Sequence, residues 1–170
     1  MTAMPIKLEN LALKTIAKKM PEAVVLADEK GRITWMNPAF ERLCGYSPTE
    51  ILGESPGDFL QGKDTDRKTV RELRVAVKEG HEIQTDILNY HKDGHSYWAR
   101  VSITPLRNTT GSLQGFIAIE RDVTAEHENL KILHGEVVEL YTTILLAEQS
   151  NGLELEPRDP FCGRASRQNT

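Results

Sequence analysis

The sequence has few cysteines, no long hydrophobic run and no excess of positive charge. Cys44 and Cys162 are the only cysteines among 170 residues, too few for a disulfide framework or a four-ligand zinc site. This scarcity predicts a reducing, cytoplasmic setting. The longest apolar stretches, 23–27 and 144–147, are far shorter than the roughly 20 residues of a membrane span. The first ten residues contain no apolar core of a secretory signal.

The charge balance argues against a nucleic-acid partner. The chain has 21 Lys and Arg against 25 Asp and Glu, a formal charge of −4, whereas nucleic-acid-binding domains favour basic faces. Hydrophobic residues make up 39% of the chain, which is enough to build a core and excludes disorder throughout. We therefore expect one folded domain with appendages and with neither a nucleic-acid nor a membrane partner.

The order of predicted elements is two strands, several short helices and three further strands. The segments AVVLA and RITWMN form a predicted hairpin. Short helices begin at Pro38 and Ser47, and a glycine-rich loop covers 53–63. The last predicted elements are a helix with an apolar stripe at Val70, Leu73 and Val77, and antiparallel strands at 82–91, 95–104 and 115–122. This order is typical of an α+β fold.

Three segments outside the domain differ from it. Residues 1–20 predict an N-terminal helix that Pro21 ends, and residues 151–170 have no apolar period and predict a flexible tail. Residues 125–150 carry apolar side chains at alternating three- and four-residue spacing, which is typical of a coiled-coil seam. The seam consists of Leu130, Leu133, Val137, Leu140 and Ile144. A surface helix folded back on the domain is the alternative, which Tyr141 and Leu145 favour by broadening the stripe.

Alternation along the last predicted strand separates two faces. Phe116, Ala118 and Glu120 share one face, and Ile117 and Ile119 share the other. The first face is expected to meet the short helices across a pocket. The second face is partly apolar and needs a cover, from the N-terminal helix or a second subunit, so Ile117 and Ile119 are candidate dimer contacts.

Three segments in this order resemble a PAS domain, a small sensory fold. They are DEKGRITWMNPAFERLCGYSPTEILG, HKDGHSYWARVSITPLRN and GFIAIERDVT. The resemblance covers about residues 21–124 and implies a five-stranded antiparallel sheet with short helices on one face and a flanking helix at each end. Asp122 and Thr124 match the Asp-x-Thr relay that ends a PAS core and begins its signalling helix.

Within that family the middle of the chain resembles the flavin-binding LOV branch. LOV domains carry a loop of the form Gly-x-Asn-Cys-Arg-Phe-Leu-Gln-Gly, followed by Pro-x-Thr-Asp, and the matching stretch here is GESPGDFLQGKDTD. The loop cysteine of LOV domains adds to the flavin, but Pro56 or Gly57 stands in its place. The resemblance therefore implies that no thiol adduct forms, and Cys44, on an earlier helix, fits a small buried apolar residue.

The flavin contacts implied by the LOV resemblance are partly retained. Gln61 matches the contact to the ribityl-phosphate end, Arg74 a phosphate contact and Asn89 a contact to the pyrimidine edge, so FMN or FAD is the candidate cofactor. Three further contacts of the family are replaced, by Ala99, Asp58 and Glu120.

The same residues also have plain structural explanations. Arg74 could be a solvated helix charge, Asn89 could bond to backbone and Gln61 could cap its loop. Glu120 either contacts a ligand, in one form as a protonated donor, or forms an internal ion pair or an exposed strand end.

Other chemistries find no support in the sequence. The five histidines, at positions 81, 91, 95, 127 and 134, lie near turns or on the terminal helix, which argues against a haem ligand. No paired His/Cys or His/carboxylate set was recognised, so no metal site is predicted. A nucleophile elbow, a phosphate loop and a dinucleotide fingerprint are all missing. We therefore expect a protein that is not an enzyme.

The resulting prediction is a sensory, signal-transducing module. It is expected to form a homodimer and to relay the state of its pocket, ligand or redox, through the C-terminal helix to a downstream signalling protein. One alternative is a cofactor-free dimerisation or partner-docking module. A second alternative is a cysteine-less, LOV-like flavin redox sensor.

Overall fold

The computed structural model describes residues 15–150, and side chains as far as residue 147. This part of the chain contains five strands and six helical segments. They are α1 (15–19), β1 (Ala23–Ala27), β2 (Ile33–Met36), α2 (Pro38–Cys44), α3 (Pro48–Ile51), α4 (Pro56–Phe59), α5 (Arg67–Glu79), β3 (Ile83–Tyr90), β4 (Ser96–Arg107), β5 (Leu113–Asp122) and α6 (Thr124–Ser150).

The five strands form one antiparallel sheet in the order β2-β1-β5-β4-β3. The last strand of the chain therefore lies in the middle, where β1 pairs with β5 and Val25 faces Ala118. On its other edge β5 pairs with β4, and Val101 lies opposite Glu120. The predicted α+β class and the five-stranded antiparallel sheet are confirmed.

Two apolar clusters cover the inner face of the sheet. In the first, Phe40, Cys44, Ile51 and Leu60 of the helical segments pack against β1 and β2. In the second, β3 and β4 contribute buried side chains against which Val70 and Leu73 of α5 pack. The predicted apolar stripe of α5 therefore faces the sheet, and the space between the clusters is where a ligand would fit.

The ends of α5 follow from local chemistry. The Asp66 side chain accepts a hydrogen bond from the Thr69 amide at 2.7 Å, so Asp66 is the N-cap. Gly80 ends the helix with a φ of 67°, a left-handed conformation that glycine adopts without strain. Asp66 and Gly80 thus set the two ends of the helix.

Two elements extend beyond the sequence prediction. The glycine-rich segment 53–63 contains one helical turn, α4, which Pro56 begins and in which the Leu60 amide donates to the Pro56 carbonyl at 3.0 Å. Strand β4 continues through Pro105. Because β3 begins at Ile83, opposite Ile103, Pro105 needs no amide hydrogen on that side of the strand.

The described residues divide into two units, one that ends at Glu128 and one that begins at Asn129. Within α6, the five predicted seam residues from Leu130 to Ile144 are exposed, as are Tyr141 and Leu145. Most of the predicted N-terminal helix and the whole predicted tail lie outside the described residues. Among the described helices, none combines the length and apolar character that crossing a membrane requires.

Candidate functional site

A cavity of about 480 Å³ lies between the inner face of the sheet and the helical segments. This volume falls within the range of about 300–1,000 Å³ that is usual for small-molecule sites. Strands β1, β3, β4 and β5 form one wall, while α4, the segment after it and α5 form the other. Most of the wall is apolar, including Val25, Leu60, Val101 and Phe116.

The four predicted cofactor contacts line this one cavity. Asn89 of β3 and Glu120 of β5 stand on the sheet side, and Gln61 and Arg74 on the helix side. They come from four separate parts of the chain. The alternation predicted for β5 is observed, since Phe116, Ala118 and Glu120 all face the cavity.

The segment that carries Gln61 is fixed to β3 by several contacts. The Tyr90 amide donates to the Leu60 carbonyl at 2.8 Å, and the Thr65 hydroxyl donates to the Leu88 carbonyl at 2.7 Å. The Tyr90 ring lies against Gly62, where an added Cβ would be 2.3 Å from a ring carbon. Gly62 therefore permits a close approach that holds Gln61 at the cavity.

Glu120 has the most unusual surroundings in the cavity wall. Its side chain is 4% exposed, and Oε2 has no hydrogen-bond partner. Among the described residues, no cation lies within ion-pair distance of Glu120, so it does not form an internal ion pair. Its burial shows that it is not an exposed strand end either. Burial raises the pKa of Glu120 to about 7, because the charged carboxylate loses the hydration that stabilises it in water.

A second buried polar group lies near Glu120. Tyr97 of β4 is 3% exposed, its hydroxyl has no hydrogen-bond partner, and it lies opposite Asn89 in the sheet. Burial, and then the Glu120 carboxylate, raise the pKa of Tyr97 above its ordinary value. Unpaired buried polar groups each cost about 1–3 kcal/mol. Of these two groups, Glu120 lines the cavity and Tyr97 does not, so Glu120 is the one that could pair with a ligand there.

A second recess of about 380 Å³ adjoins the cavity and shares Gln61, Val70 and Arg74 with it. Lys63, Arg67 and Arg71 also line this recess, which makes it cationic. Arg74 forms no ion pair with any residue that the structure describes. The LOV resemblance had drawn attention to Asp58, which lines the cavity and opposes a phosphate, but it did not indicate that three further cations stand nearby. The available signal was the spacing of Arg67 and Arg71 on α5, at i−7 and i−3 from Arg74, whereas Lys63 precedes the helix.

The Cys44 thiol lies away from the loop position that holds the reactive cysteine in LOV domains. Pro56 and Gly57 both line the cavity, whereas Cys44 is completely buried in the first apolar cluster. Burial raises the pKa of the Cys44 thiol to about 11, so it carries its proton at neutral pH and is a poor nucleophile. No cysteine in the described part of the chain lines the cavity.

Asp122 and Thr124, the predicted relay, join β5 to the first turn of α6. The Asp122 carboxylate accepts from the Thr124 amide at 2.8 Å, and the Thr124 hydroxyl oxygen accepts from the Trp98 amide at 2.9 Å. Between them, the Val123 amide donates to the Trp98 carbonyl at 2.8 Å. The start of α6 is thus bonded to β4, next to the strand that bears Glu120.

Side chains on the outer face of the sheet reinforce this junction. The His127 and Trp98 rings are stacked with centroids 4.1 Å apart, and His127 Nε2 lies 2.9 Å from Asp86 Oδ2. Arg100 pairs with Asp86 through two contacts of 2.7 and 2.8 Å and lowers the pKa of Asp86 to about 2. The predicted dimer contacts Ile117 and Ile119 are on this face, and Ile119 is 37% exposed.

One further cluster lies away from the cavity, at the turn between β3 and β4. His91, Asp93 and His95 bring two imidazole nitrogens and a carboxylate oxygen within 4.8 Å of one another. Both histidines were predicted to lie near a turn, but no metal site was predicted, so this grouping emerges only from the folded turn. The signal was the His-x-Asp-x-His spacing around Gly94, which turns the chain back on itself.

The fold and the cavity define a small α+β domain with a cavity beneath one antiparallel sheet. The PAS domain profile matches residues 21–125. The chain belongs to the PAS domain family.

Relatives and solved structures point to the LOV branch of that family. Blue-light-activated histidine kinases of Brucella canis and Brucella anthropi are 40% and 38% identical to the chain over 104 residues. These matches cover 61% of this chain but 21% of each kinase, so the chain spans about a fifth of the length of these relatives.

Two solved structures share the fold. An RNA-binding light-oxygen-voltage receptor has a TM-score of 0.73 at 29% identity, covering 82% of this chain and 40% of the receptor. The LOV domain of a blue-light-activated histidine kinase from Erythrobacter litoralis has a TM-score of 0.58 at 28% identity, covering 62% of this chain and 99% of that domain. The predicted resemblance to LOV domains is confirmed.

Proposed function

We propose that the domain is a sensor whose cavity binds a flavin nucleotide, FMN or FAD, without a covalent bond. The observation that carries the proposal is a largely apolar cavity of about 480 Å³ whose wall contains a buried carboxyl group without a hydrogen-bond partner. A ligand that pairs with Glu120 would remove the energetic penalty of leaving it unpaired.

The polar groups of the site suit the two ends of a flavin nucleotide. Asn89 and Glu120 on the sheet side offer hydrogen-bonding groups to the edge of a flat heterocycle. Gln61 and Arg74 stand where the cavity adjoins the cationic recess, and a guanidinium pairs well with a phosphate. The similarity to LOV domains supports the same class of ligand.

Among the described residues that line the cavity there is no thiol, and this determines what kind of signal the site could detect. When bound, a flavin would supply blue-light absorption and reversible redox chemistry. With Pro56 and Gly57 at the loop position and Cys44 buried elsewhere, the residues present support detection of ligand occupancy or redox state. Glu120 can change its hydrogen bond when the ligand edge changes, because a carboxyl group both donates and accepts when it is protonated.

This change would reach α6 through the end of β5. Glu120 is two residues before Asp122, and the bonds of Asp122 and Thr124 fix the start of α6 to β4. We infer that the exposed seam of α6 pairs with a second copy of the chain, because apolar side chains at coiled-coil spacing are stabilised by a partner helix. Ile117 and Ile119 would extend that homodimer interface.

A double variant, Asp122→Ala with Thr124→Val, tests the relay. It removes two of the hydrogen bonds at the junction and leaves the cavity residues unchanged. We expect ligand binding to persist while the response of the dimer to dithionite is lost, as measured by the distance between spin labels near Glu136 on two copies. The matched control is Thr142→Val, which removes a threonine hydrogen bond within α6. An undiminished response in the double variant would contradict the relay.

Visible absorption of the purified protein, before and after denaturation, tests the ligand. We expect a flavin spectrum that becomes the spectrum of free FMN or FAD on denaturation. Ala118→Leu adds bulk inside the cavity and should reduce bound flavin at least about tenfold, because the larger side chain would occupy space that the flavin needs. Ser102→Leu places similar bulk on the outer face and should leave the spectrum unchanged. A protein that neither contains flavin nor binds added FMN or FAD would overturn the proposal.

A cofactor-free docking module is the alternative that the cavity disfavours, because such a module would be stabilised by a filled interior.

We expect the domain itself to be a non-catalytic, cytoplasmic regulator that acts on a downstream signalling protein. Its relatives are named histidine kinases, so a kinase is the first partner to examine. The formal charge of −4 supports a protein rather than a nucleic-acid partner. Since one structural neighbour is an RNA-binding receptor by name, a gel-shift assay with RNA tests this expectation.

A further inference from the structure

The β3–β4 turn brings three potential metal ligands together without help from the cavity. Asp93 Oδ1 lies 3.0 Å from His91 Nδ1 and 2.5 Å from His95 Nδ1. The two imidazole rings are stacked, with centroids 4.6 Å apart and planes 19° from parallel. Both histidines therefore direct the same ring nitrogen toward one carboxylate oxygen.

Two atoms of this turn that both present lone pairs, His91 Nδ1 and Asp93 Oδ1, lie close together. The Asp93 backbone amide donates to His91 Nδ1 at 3.3 Å, so this nitrogen presents its lone pair. The same nitrogen lies 3.0 Å from Asp93 Oδ1, which is also an acceptor. Two acceptors at this separation are stabilised by a shared positive charge, either a proton or a metal ion. A proton or a metal ion on Nδ1 would each take the lone pair that the Asp93 amide now uses, and a metal ion would also engage the nearby oxygen of Asp93 and nitrogen of His95.

The turn is held in place by the neighbouring helices. The His91 ring packs against Gly45, where an added Cβ would lie 2.4 Å from ring atoms. The Lys92 amide donates to the Cys44 carbonyl at 2.9 Å, and the Lys92 ammonium group pairs with Glu50. His91 is therefore fixed before any ion arrives, which lowers the entropy that binding would have to overcome.

We propose that His91, Asp93 and His95 form a binding site for a divalent transition-metal ion of the zinc, copper or nickel class. Imidazole nitrogen suits these ions, whereas calcium and magnesium prefer ligand sets made of oxygen. Three protein ligands leave coordination positions for water. Asp93 and His95 are exposed, with side-chain exposures of 62% and 60%, so an ion can enter from solvent.

Occupancy would affect the domain through the hairpin that carries the cluster. The turn lies between Asn89, at the cavity wall, and Tyr97, whose hydroxyl lacks a partner. An ion would fix the ends of β3 and β4 relative to each other and stabilise the folded state by mass action. This site is independent of the cavity ligand, so its test does not depend on the flavin proposal.

Calorimetric titration of the chelator-treated full chain with Zn²⁺ tests the site. We expect one ion per chain and an affinity at least about tenfold lower in Asp93→Asn and His95→Gln, since even outer-shell partners of metals are worth roughly 10–100-fold. Asp93→Asn retains an oxygen for the His95 amide, so the turn is expected to survive, and circular dichroism checks the fold. The control is His81→Gln, which alters another exposed histidine beside a carboxylate, Glu79, at 3.4 Å.

Two results would overturn the metal site. The first is Zn²⁺ binding that neither cluster variant weakens, which would identify adventitious histidine sites elsewhere. The second is the absence of measurable binding in the unmodified chain. As an independent readout, Zn²⁺ should shift the side-chain nitrogen resonances of His91 and His95 together in the unmodified protein, while those of His81 stay in place.

Discussion

Replacing Glu120 with glutamine is expected to stabilise the ligand-free protein at alkaline pH and to remove one component of its pH dependence. Burial raises the pKa of Glu120 from 4.5 to about 7, so the folded state keeps a proton that the unfolded chain releases. Stability is therefore fully retained below about pH 4.5 and decreases as the pH rises through about 7. At about 1.4 kcal/mol for each pH unit, the loss is roughly 3 kcal/mol.

Urea unfolding of both proteins at several pH values measures this effect. Glu120→Gln should match the parent protein near pH 4.5 and exceed it by roughly 3 kcal/mol near pH 8. The exposed Glu82→Gln variant removes the same charge without a buried carboxyl group and controls for net charge. Parallel pH profiles for Glu120→Gln and its parent would show that Glu120 does not titrate in the interior.

Replacing Asn37 with leucine is expected to destabilise the domain by roughly 3 kcal/mol or more. Asn37 is 1% exposed, and its side chain satisfies four backbone groups. Its Oδ1 accepts from the Val24 and Phe40 amides at 2.9 and 3.0 Å, and its Nδ2 donates to the Ala17 and Glu22 carbonyls at 3.0 and 2.9 Å. Leucine has a similar volume but leaves the buried Val24 amide without this partner.

Denaturant unfolding of the Asn37→Leu protein measures the loss, and Asn108→Leu is the matched control. Asn108 also accepts bonds from two backbone amides, those of Thr110 and Ser112, but it lies in an exposed turn where water replaces lost partners. We expect the control to lose about 1 kcal/mol or less. Equal losses in the two variants would mean that burial of the Asn37 bonds contributes little.

Local sequence patterns accounted for much of the fold. Pro38, Asp66 and Gly80 lie at helix ends for reasons that operate within a few residues, namely a fixed φ, a side-chain cap and a left-handed backbone. The alternation of Phe116, Ala118 and Glu120 also needed no tertiary information. The turn α4 was missed because a glycine-rich segment has weak local preference, and the packing of Leu60 against the core supports helix there.

Some residues of the candidate site were likewise predicted from the sequence, and others were not. The resemblance to LOV domains singled out Gln61, Arg74, Asn89 and Glu120, and the structure gathers all four around one cavity. The cations of the recess and the His91–Asp93–His95 cluster were not predicted from the sequence. Those groupings arise because a helix or a hairpin turn brings side chains close together in space. Separate sequence motifs do not show this proximity.

The sequence by itself determined most of the helices and strands, which faces are apolar and that the loop position of the LOV thiol holds no cysteine. Each of these properties depends on neighbours within about one turn or one strand. Only the tertiary structure decided that β5 lies between β1 and β4 and that Glu120 is buried without a partner. Strand order and burial depend on contacts between residues distant in the chain, whose energies arise only when the whole core closes.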